Sequence, residues 1–422
     1  MRFNTLDQWL DWQMSLHPSE IELGLERVAA VWRRLSPTGL SSLVATVAGT
    51  NGKGSCVAML DAIYRQAGYS VATYTSPHLV RYNERIKFDG VAIDDARLCE
   101  AFDAVDRARG SSSLTYFEFG TLAALYLFAQ QPPDLVIMEV GLGGRLDAVN
   151  IVDTDLAIIT TIDIDHVDWL GHDRETIGRE KAGIMRARKP AVLGDPAMPE
   201  SVFEEAARIG AEVLAAGRDY CFSETPQGWH WSGPAGRELD LPLPGLKGAG
   251  QMQNAATVVM ACQCLQPLLE IDPTSLSAGL EQVRLSGRLQ LLPGIPKVLL
   301  DVAHNRQSVE GLVASLDQIA PQARVLAVFG LLKDKDVGAV AELLRERVDQ
   351  WHTMDLPGDR GRSSASLSRA LKAAGVSAST HAWPDFASAF QAARSSAHED
   401  DLILIFGSFL VVGEAMHYLG IK

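Results

Sequence analysis

The stretch from Ser41 to Gly68 reads SSLVATVAGTNGKGSCVAMLDAIYRQAG, and it decides the fold. A β-rich apolar run, SLVATV, ends in Ala48-Gly49-Thr50-Asn51-Gly52-Lys53-Gly54-Ser55, and an amphipathic helix is expected over CVAMLDAIYRQAG. A strand feeding a Gly-rich turn and then a helix is the way chains build phosphate cradles. Glycines let backbone N–H groups converge on phosphate oxygens, the helix N-terminus adds partial positive charge, and Lys53 supplies a full one. The generic G-x-x-x-x-G-K-[ST] pattern is not met. Counting back from Gly52-Lys53 puts Val47 in the first glycine position, and Gly54 separates Lys53 from Ser55. The bland alternative is a Gly-rich βα turn without a ligand.

Working outward, YSVATYTS, DLVIMEVG and DLAIITTI are further apolar runs separated by helix-length segments, the signature of βα units around a buried, mostly parallel sheet. Residues 218–244, rich in Trp, Gly and Pro, read as a small antiparallel insertion. A second α/β series begins near residue 297 with KVLLDVA, RVLAVFG and DLILIFG. The Gly- and Pro-bearing stretch LSGRLQLLPGIPK separates the two series. The expected architecture is therefore α/β with two domains: a P-loop-type, mostly parallel domain over 1–290 and a smaller Rossmann-like domain over 291–422. A cleft between them is the default ligand site.

Composition limits the function classes. Lys plus Arg total 38 against 52 Asp plus Glu among 422 residues, a formal charge of −14. Such a surface repels nucleic acid and anionic lipid, so neither is an expected partner. A small anionic ligand in a locally positive pocket is not excluded. The five cysteines are scattered without a zinc-like or C-x-x-C spacing, which fits reduced thiols in a cytoplasm. No signal-peptide h-region stands at the start, and LILIFGSFLVV is too short to span a bilayer. A cytoplasmic protein is expected, and a monomer, since nothing in the sequence demands an oligomer.

Several strings carry candidate chemistry. Glu139 ends an otherwise continuously apolar strand, where a carboxylate must be solvated, paired or bound to a cation; magnesium suits the carboxyl edge of a parallel sheet. The following Gly141-Leu142-Gly143-Gly144 permits close backbone approach. Ser76, in Thr75-Ser76-Pro77-His78, reads from spacing alone as a Ser-Pro turn. Asp163, Asp165 and Asp168 around His166 suit either a metal cluster or acidic caps at a helix start. Lys181, in Arg179-Glu180-Lys181-Ala182-Gly183, reads as a solvated helix lysine. Thr115-Tyr116-Phe117-Glu118 reads as the start of an amphipathic helix, with aromatic residues that are more often core than ligand. Asn254 suits a plain N-cap.

The exact loop variant G-T-N-G-K-G-S resembles the ATP loop of the Mur ligase superfamily. From Leu23-Gly24-Leu25-Glu26-Arg27 to Gly407-Ser408-Phe409 the chain resembles its folylpolyglutamate synthase branch, in the bifunctional bacterial form that also makes dihydrofolate. The resemblance implies an ATP site at Thr50, Asn51, Gly52, Lys53, Gly54, Ser55, Asn254, Arg288 and Asp301. It implies magnesium, one or two ions, held by Ser76, Glu139 and His166, with Lys181 carbamylated by CO₂ as a further ligand. An unmodified ammonium cannot ligate a metal. It also implies a dihydropteroate site at Thr115, Tyr116, Phe117, Glu118, Leu146, Asp147 and Ala148, and catalytic roles for Lys53, His166 and Lys181. His78 stays open between ligand contact and loop packing, and the three Asp residues between support and capping.

The activity implied is ATP-dependent amide formation in folate biosynthesis: L-glutamate added to dihydropteroate, giving dihydrofolate, and to reduced folates. A monofunctional folylpolyglutamate synthase is the related alternative, and a P-loop NTPase that drives a conformational change is the alternative of another class. Two positions depart from the family. Ser286 stands where Pro is usual, and Arg306 follows Ala303-His304-Asn305 where Pro is favoured. Neither removes a charged or ligating group.

Overall fold

The computed structural model describes residues 1–421, which form two compact bodies. The first comprises residues 1–78, 82–245 and 252–284; the second comprises 79–81, 246–251 and 285–422. The chain thus enters the second body for good at Leu285, and Ser286, Gly287 and Arg288 belong to it.

The first body is built on an eight-stranded sheet: β1 (Leu43–Ala48), β2 (Val71–Tyr74), β3 (Ile86–Phe88), β4 (Val91–Ala92), β5 (Leu135–Glu139), β6 (Leu156–Ile159), β7 (Pro190–Leu193) and β8 (Glu212–Ala215). Their spatial order is β4-β3-β2-β5-β1-β6-β7-β8. The pairs β2–β5, β5–β1, β1–β6, β6–β7 and β7–β8 are parallel, and only the short β3 and β4 run antiparallel at one edge. Every residue of β2, β5 and β6 is buried, which is why these strands read as unbroken apolar runs rather than alternating ones.

The helix after the phosphate loop, Lys53–Gln66, starts three residues earlier than the apolar run suggested and is not amphipathic. It begins at Lys53 because Gly52 takes a left-handed conformation, φ 86°, and turns the chain into the first helical turn. It is buried on most sides because the helix Pro273–Gln282 covers the face turned away from the sheet. A Cβ on Gly279 would lie 2.5 Å from Ile63 Cα, so that contact requires glycine. The helix Tyr116–Gln130 corrects the amphipathic expectation in the same way: from Glu118 to Leu125 every residue is buried.

The insertion is antiparallel as read: β9 (Cys221–Thr225), β10 (Gly228–Gly233) and β11 (Arg237–Leu241), in the order β11-β10-β9. Trp231, fully buried, donates its indole N–H to Ala256 O at 3.2 Å and fastens this hairpin to the helix Gln251–Leu265, which carries Asn254.

The second body holds a six-stranded sheet of β12 (Gln290–Leu292), β13 (Lys297–Asp301), β14 (Val325–Phe329), β15 (Gln350–Met354), β16 (Ser379–Trp383) and β17 (Leu402–Phe406). Its order is β12-β13-β17-β14-β15-β16, parallel except for β12. Helices alternate with these strands, and the all-buried β14 and β17 form its centre. No helix among the described residues is long and apolar enough to cross a membrane.

Candidate active site

Strand β1 delivers the loop 49–52 to the carboxyl edge of the first sheet, between β5 and β6. The loop is held in shape by residues that follow β6. Thr50 N donates to Thr161 O at 2.7 Å, Thr50 Oγ1 to Asp163 O at 3.0 Å, and Thr160 Oγ1 to Asn51 O at 2.6 Å. Thr160 and Thr161 have no motif signal; their role follows from β6 lying beside β1. A Cβ on Gly49 would fall 1.8 Å from Thr160 Oγ1, so this residue must be glycine. Gly52 is constrained likewise, since its Cβ would meet Asn254 Oδ1 at 2.5 Å. Asn254 is therefore inside the first turn of its helix and against the loop, rather than a terminal cap.

Two lysines meet on one carbonyl. Lys53 Nζ donates to Gly49 O at 3.0 Å and to Thr50 O at 3.2 Å, and Lys181 Nζ donates to the same Gly49 O at 2.9 Å. Lys181 is not the solvated lysine its helix, Arg174–Ala182, suggested: it is 5% exposed. Gly144 makes this possible, because a Cβ there would sit 2.8 Å from Glu180 O and 3.0 Å from Lys181 Cα. Burial, with the Lys53 charge beside it, pulls the Lys181 amine down to about 7.

Glu139 is buried at the end of β5. Its Oε2 accepts the Ser76 N–H at 3.2 Å, and both carboxylate oxygens lie 3.9 Å from where a Gly54 Cβ would be. Ser76, after β2, and Glu139 are thus brought together below the first turn of the phosphate-loop helix. His166 ends the loop after β6, in a left-handed conformation with φ 52°, and opens the short helix Val167–Leu170. Asp163 Oδ1 and Asp165 Oδ1 accept the N–H groups of the next residues, Ile164 and His166, both at 2.8 Å, and Asp165 also acts electrostatically on Lys181. Among the described residues, no three His, Cys, Asp or Glu side chains form a group able to hold a metal ion by themselves. The residues that could hold a hard divalent cation are Glu139 and Ser76, which meet here through oxygen-bearing side chains, with the His166 imidazole as a nitrogen donor on the loop after β6. They suit it because oxygen-rich sets at a sheet edge match small, highly charged ions.

The aromatic segment occupies the neighbouring edge. Thr115 caps the helix Tyr116–Gln130, its Oγ1 accepting from Glu118 N at 3.2 Å while Glu118 Oε2 accepts from Thr115 N at 2.8 Å. Glu118 also pairs with Arg27, whose Nη2 lies 2.8 Å from Oε1. Its carboxylate is thereby committed to the fold, whereas Tyr116 and Phe117 remain half-buried. The Phe117 ring lies where a Gly141 Cβ would be, at 2.6 Å, and 6.0 Å from the Tyr74 ring. Asp147 accepts from Leu142 N at 2.8 Å and Val149 N at 3.0 Å, folding the Gly-rich loop over itself. Burial raises this carboxyl to about 6, against the lowering effect of those hydrogen bonds. Leu146 and Ala148 flank it. His78 accepts a hydrogen bond at Nδ1 from Arg85 Nε at 2.9 Å, and burial together with that guanidinium lowers the imidazole to about 4.

Arg288 and Asp301 belong to the second body. Asp301 ends β13 and accepts from Leu289 N at 2.9 Å and Ala303 N at 2.8 Å; burial raises its pKa although Arg288 opposes this. Arg288 lies 5.0 Å above the Phe409 ring. Arg27, Arg85, Thr160 and Thr161 carry no role in the sequence reading, although Arg27 and Thr161 stand within strings that carry the resemblance.

Comparisons with known proteins agree with this geometry. The Mur ligase middle domain matches residues 47–220, and the Mur ligase glutamate ligase domain matches residues 287–409. The dihydrofolate synthase/folylpolyglutamate synthase of Escherichia coli (strain K12) is 42% identical over 414 residues, covering 98% of this chain and 95% of the relative. The structure of E. coli FolC in complex with DHPP and ADP superposes with a TM-score of 0.93 at 41% identity, covering 99% of this chain and 98% of that one. A bifunctional folylpolyglutamate synthase/dihydrofolate synthase with Mn, AMPPNP and L-glutamate bound gives a TM-score of 0.90 at 43% identity, with 99% and 98% covered. With both Mur ligase domains matched and 42% identity over nearly the whole length, the chain belongs to the dihydrofolate synthase/folylpolyglutamate synthase family of Mur ligases.

Proposed function

We propose that this protein is an ATP-dependent ligase that adds L-glutamate to dihydropteroate and to reduced folates in the cytoplasm, through an acyl-phosphate intermediate. The observation that carries the reading is the meeting of Lys53 and Lys181 at the Gly49 carbonyl, in a loop whose shape demands glycine. A carboxylate is a poor acylating agent and needs activation before an amine can attack it. Lys53 and the N–H groups at the start of its helix neutralise the triphosphate. A substrate carboxylate oxygen then bonds to the γ-phosphorus and ADP leaves. The amine of glutamate next attacks the acyl carbon, phosphate departs, and an amide remains. Asn254, Arg288 and Asp301 are the further nucleotide contacts in this reading. Thr115, Tyr116, Phe117, Leu146, Asp147 and Ala148 form the pteroyl contacts, where Glu118 acts through the cap it makes.

Ser76, Glu139 and His166 would hold a magnesium ion, which when bound neutralises charge on the transferring phosphoryl group. Lys181 is suited to carbamylation because its buried amine sheds its proton near neutrality. The free lone pair on Nζ attacks CO₂, a proton leaves the nitrogen, and the product is an anionic ligand for a second ion. The decisive assay measures phosphate release with dihydropteroate and with tetrahydrofolate, each with and without glutamate. Glutamate-dependent release with both supports the proposal. Release that ignores glutamate rejects a ligase, and turnover of tetrahydrofolate alone rejects the dihydrofolate synthase activity. Native mass spectrometry that finds no CO₂ adduct at Lys181 in CO₂-equilibrated buffer rejects the carbamate.

A further inference from the structure

Arg85 is a buried cation whose charge the described protein does not balance. It is 8% exposed, and its Nε is used by His78 Nδ1 at 2.9 Å. Among the described residues no carboxylate lies within ion-pairing distance of it, and its Nη1 and Nη2 meet no protein acceptor. A guanidinium keeps its charge, and Nη1 and Nη2, unpaired but not wholly enclosed, are open to an anion from outside. Two aromatic faces flank it: the Tyr82 ring at 5.0 Å and the Tyr116 ring at 5.6 Å, which themselves pack edge to face at 5.5 Å. Such walls favour a flat aromatic acid over a freely hydrated inorganic anion.

Its position in the first body selects the acid. The Arg85 carbonyl accepts the Thr75 N–H at 2.9 Å, next to Ser76 and hence to Glu139, while its guanidinium touches Tyr116, the first residue of the aromatic helix. Arg85 thus joins the segment read as gripping the pteroyl ring to the segment read as holding the magnesium ion beside the transferring phosphoryl group. We infer that Arg85 receives the carboxylate of the pteroyl substrate and fixes it for phosphorylation. The inference rests on the pteroyl reading above and adds to it a residue that determines which acids are accepted. Bidentate guanidinium–carboxylate pairing would leave a lone pair on each carboxylate oxygen for attack on phosphorus and hold the group's plane.

The test measures equilibrium binding of dihydropteroate and of its analogue with hydrogen in place of the carboxylate, using the full-length protein with ADP present. The unsubstituted protein is expected to bind the acid about tenfold to a hundredfold more tightly. Arg85→Gln should bind both compounds equally, at the analogue's level, and Arg85→Lys should recover part of the preference. Equal binding of acid and analogue by the unsubstituted protein overturns the assignment without any variant, while leaving the pteroyl site in place. Failure to bind either compound overturns the pteroyl reading and this inference with it. An Arg85→Gln protein that keeps the preference, or whose KM rises for glutamate alone, also overturns it, the latter by assigning Arg85 to the other carboxylic substrate.

Discussion

Glu139 and Asp301 stand at the same place in two sheets, each the last residue of an apolar parallel strand and each buried. They differ in what fills their lone pairs. Asp301 is wrapped by its own neighbourhood, taking N–H groups from Leu289 and Ala303, with Arg288 lowering the cost of its charge. Glu139 turns toward Ser76, whose N–H it accepts, and toward the Gly54 turn. The donors to Asp301 hold its own loop together, whereas Glu139 takes the N–H of Ser76, its partner in the proposed magnesium site. Burial alone does not distinguish them, and the direction of the nearest donors does.

That distinction is broken most forcefully at Glu139. Glu139→Gln keeps the shape of the side chain but removes its charge. The expected result is a loss of glutamate-dependent phosphate release of about a hundredfold to a thousandfold, with the unfolding midpoint little changed. An active Glu139→Gln enzyme would place Glu139 in the same class as Asp301. Lys181 comes next. If it works as a carbamate, Lys181→Arg is as damaging as Lys181→Ala, each costing about a hundredfold in kcat, and acetate or formate restores part of the rate to the alanine variant. Retained activity in Lys181→Arg would mean that positive charge is its contribution.

Much of this was legible because strands buried on both faces announce themselves as apolar runs, and because the loop from Gly49 to Ser55 carries its chemistry in consecutive residues. Glu139 was visible as a charge at the end of such a run. Lys181 was readable only through the resemblance: its helix has ordinary polarity, and its burial depends on Gly144, distant in sequence, letting the loop close onto it. Arg85 was invisible for a related reason. It lies beside Asn83 and Glu84 in a polar turn, and what isolates it are rings at Tyr82 and Tyr116 brought together by the fold. The helix misreadings at Lys53–Gln66 and Tyr116–Gln130 have one cause, since periodicity cannot reveal a second layer that covers the expected solvent face.

The complementary experiment is at Asp301. Asp301→Ala strands two N–H groups, at Leu289 and Ala303, and is expected to lower stability by about 2–3 kcal/mol, less whatever is regained by no longer burying a charge. Urea unfolding followed by tryptophan fluorescence would read this. A shift much smaller than that would mean that these two hydrogen bonds do not hold the loop and that the carboxylate serves a ligand instead.

The smallest effect expected is in acid, and it extends the comparison to a second titratable group of the C-terminal sheet. His352 on β15 is 1% exposed and accepts the Trp383 indole N–H at Nδ1, 3.2 Å away, with His381 stacked on it at 5.5 Å. Burial, followed by repulsion from His381, lowers it to about 4. The unfolded chain therefore takes up a proton below about 6.5 that the folded chain refuses until about 4. Its contribution to stability is complete above 6.5 and is lost as pH falls toward 4, about 2 kcal/mol between pH 7 and pH 5. His352→Gln, which retains an acceptor for the indole, should flatten the profile by that amount in denaturant titrations. The difference from His78 then becomes testable. The charged neighbour that lowers His78 is Arg85, whereas the one that lowers His352 is His381, so removing the latter with His381→Ala should raise the His352 pKa observed by NMR while leaving that of His78 where it is.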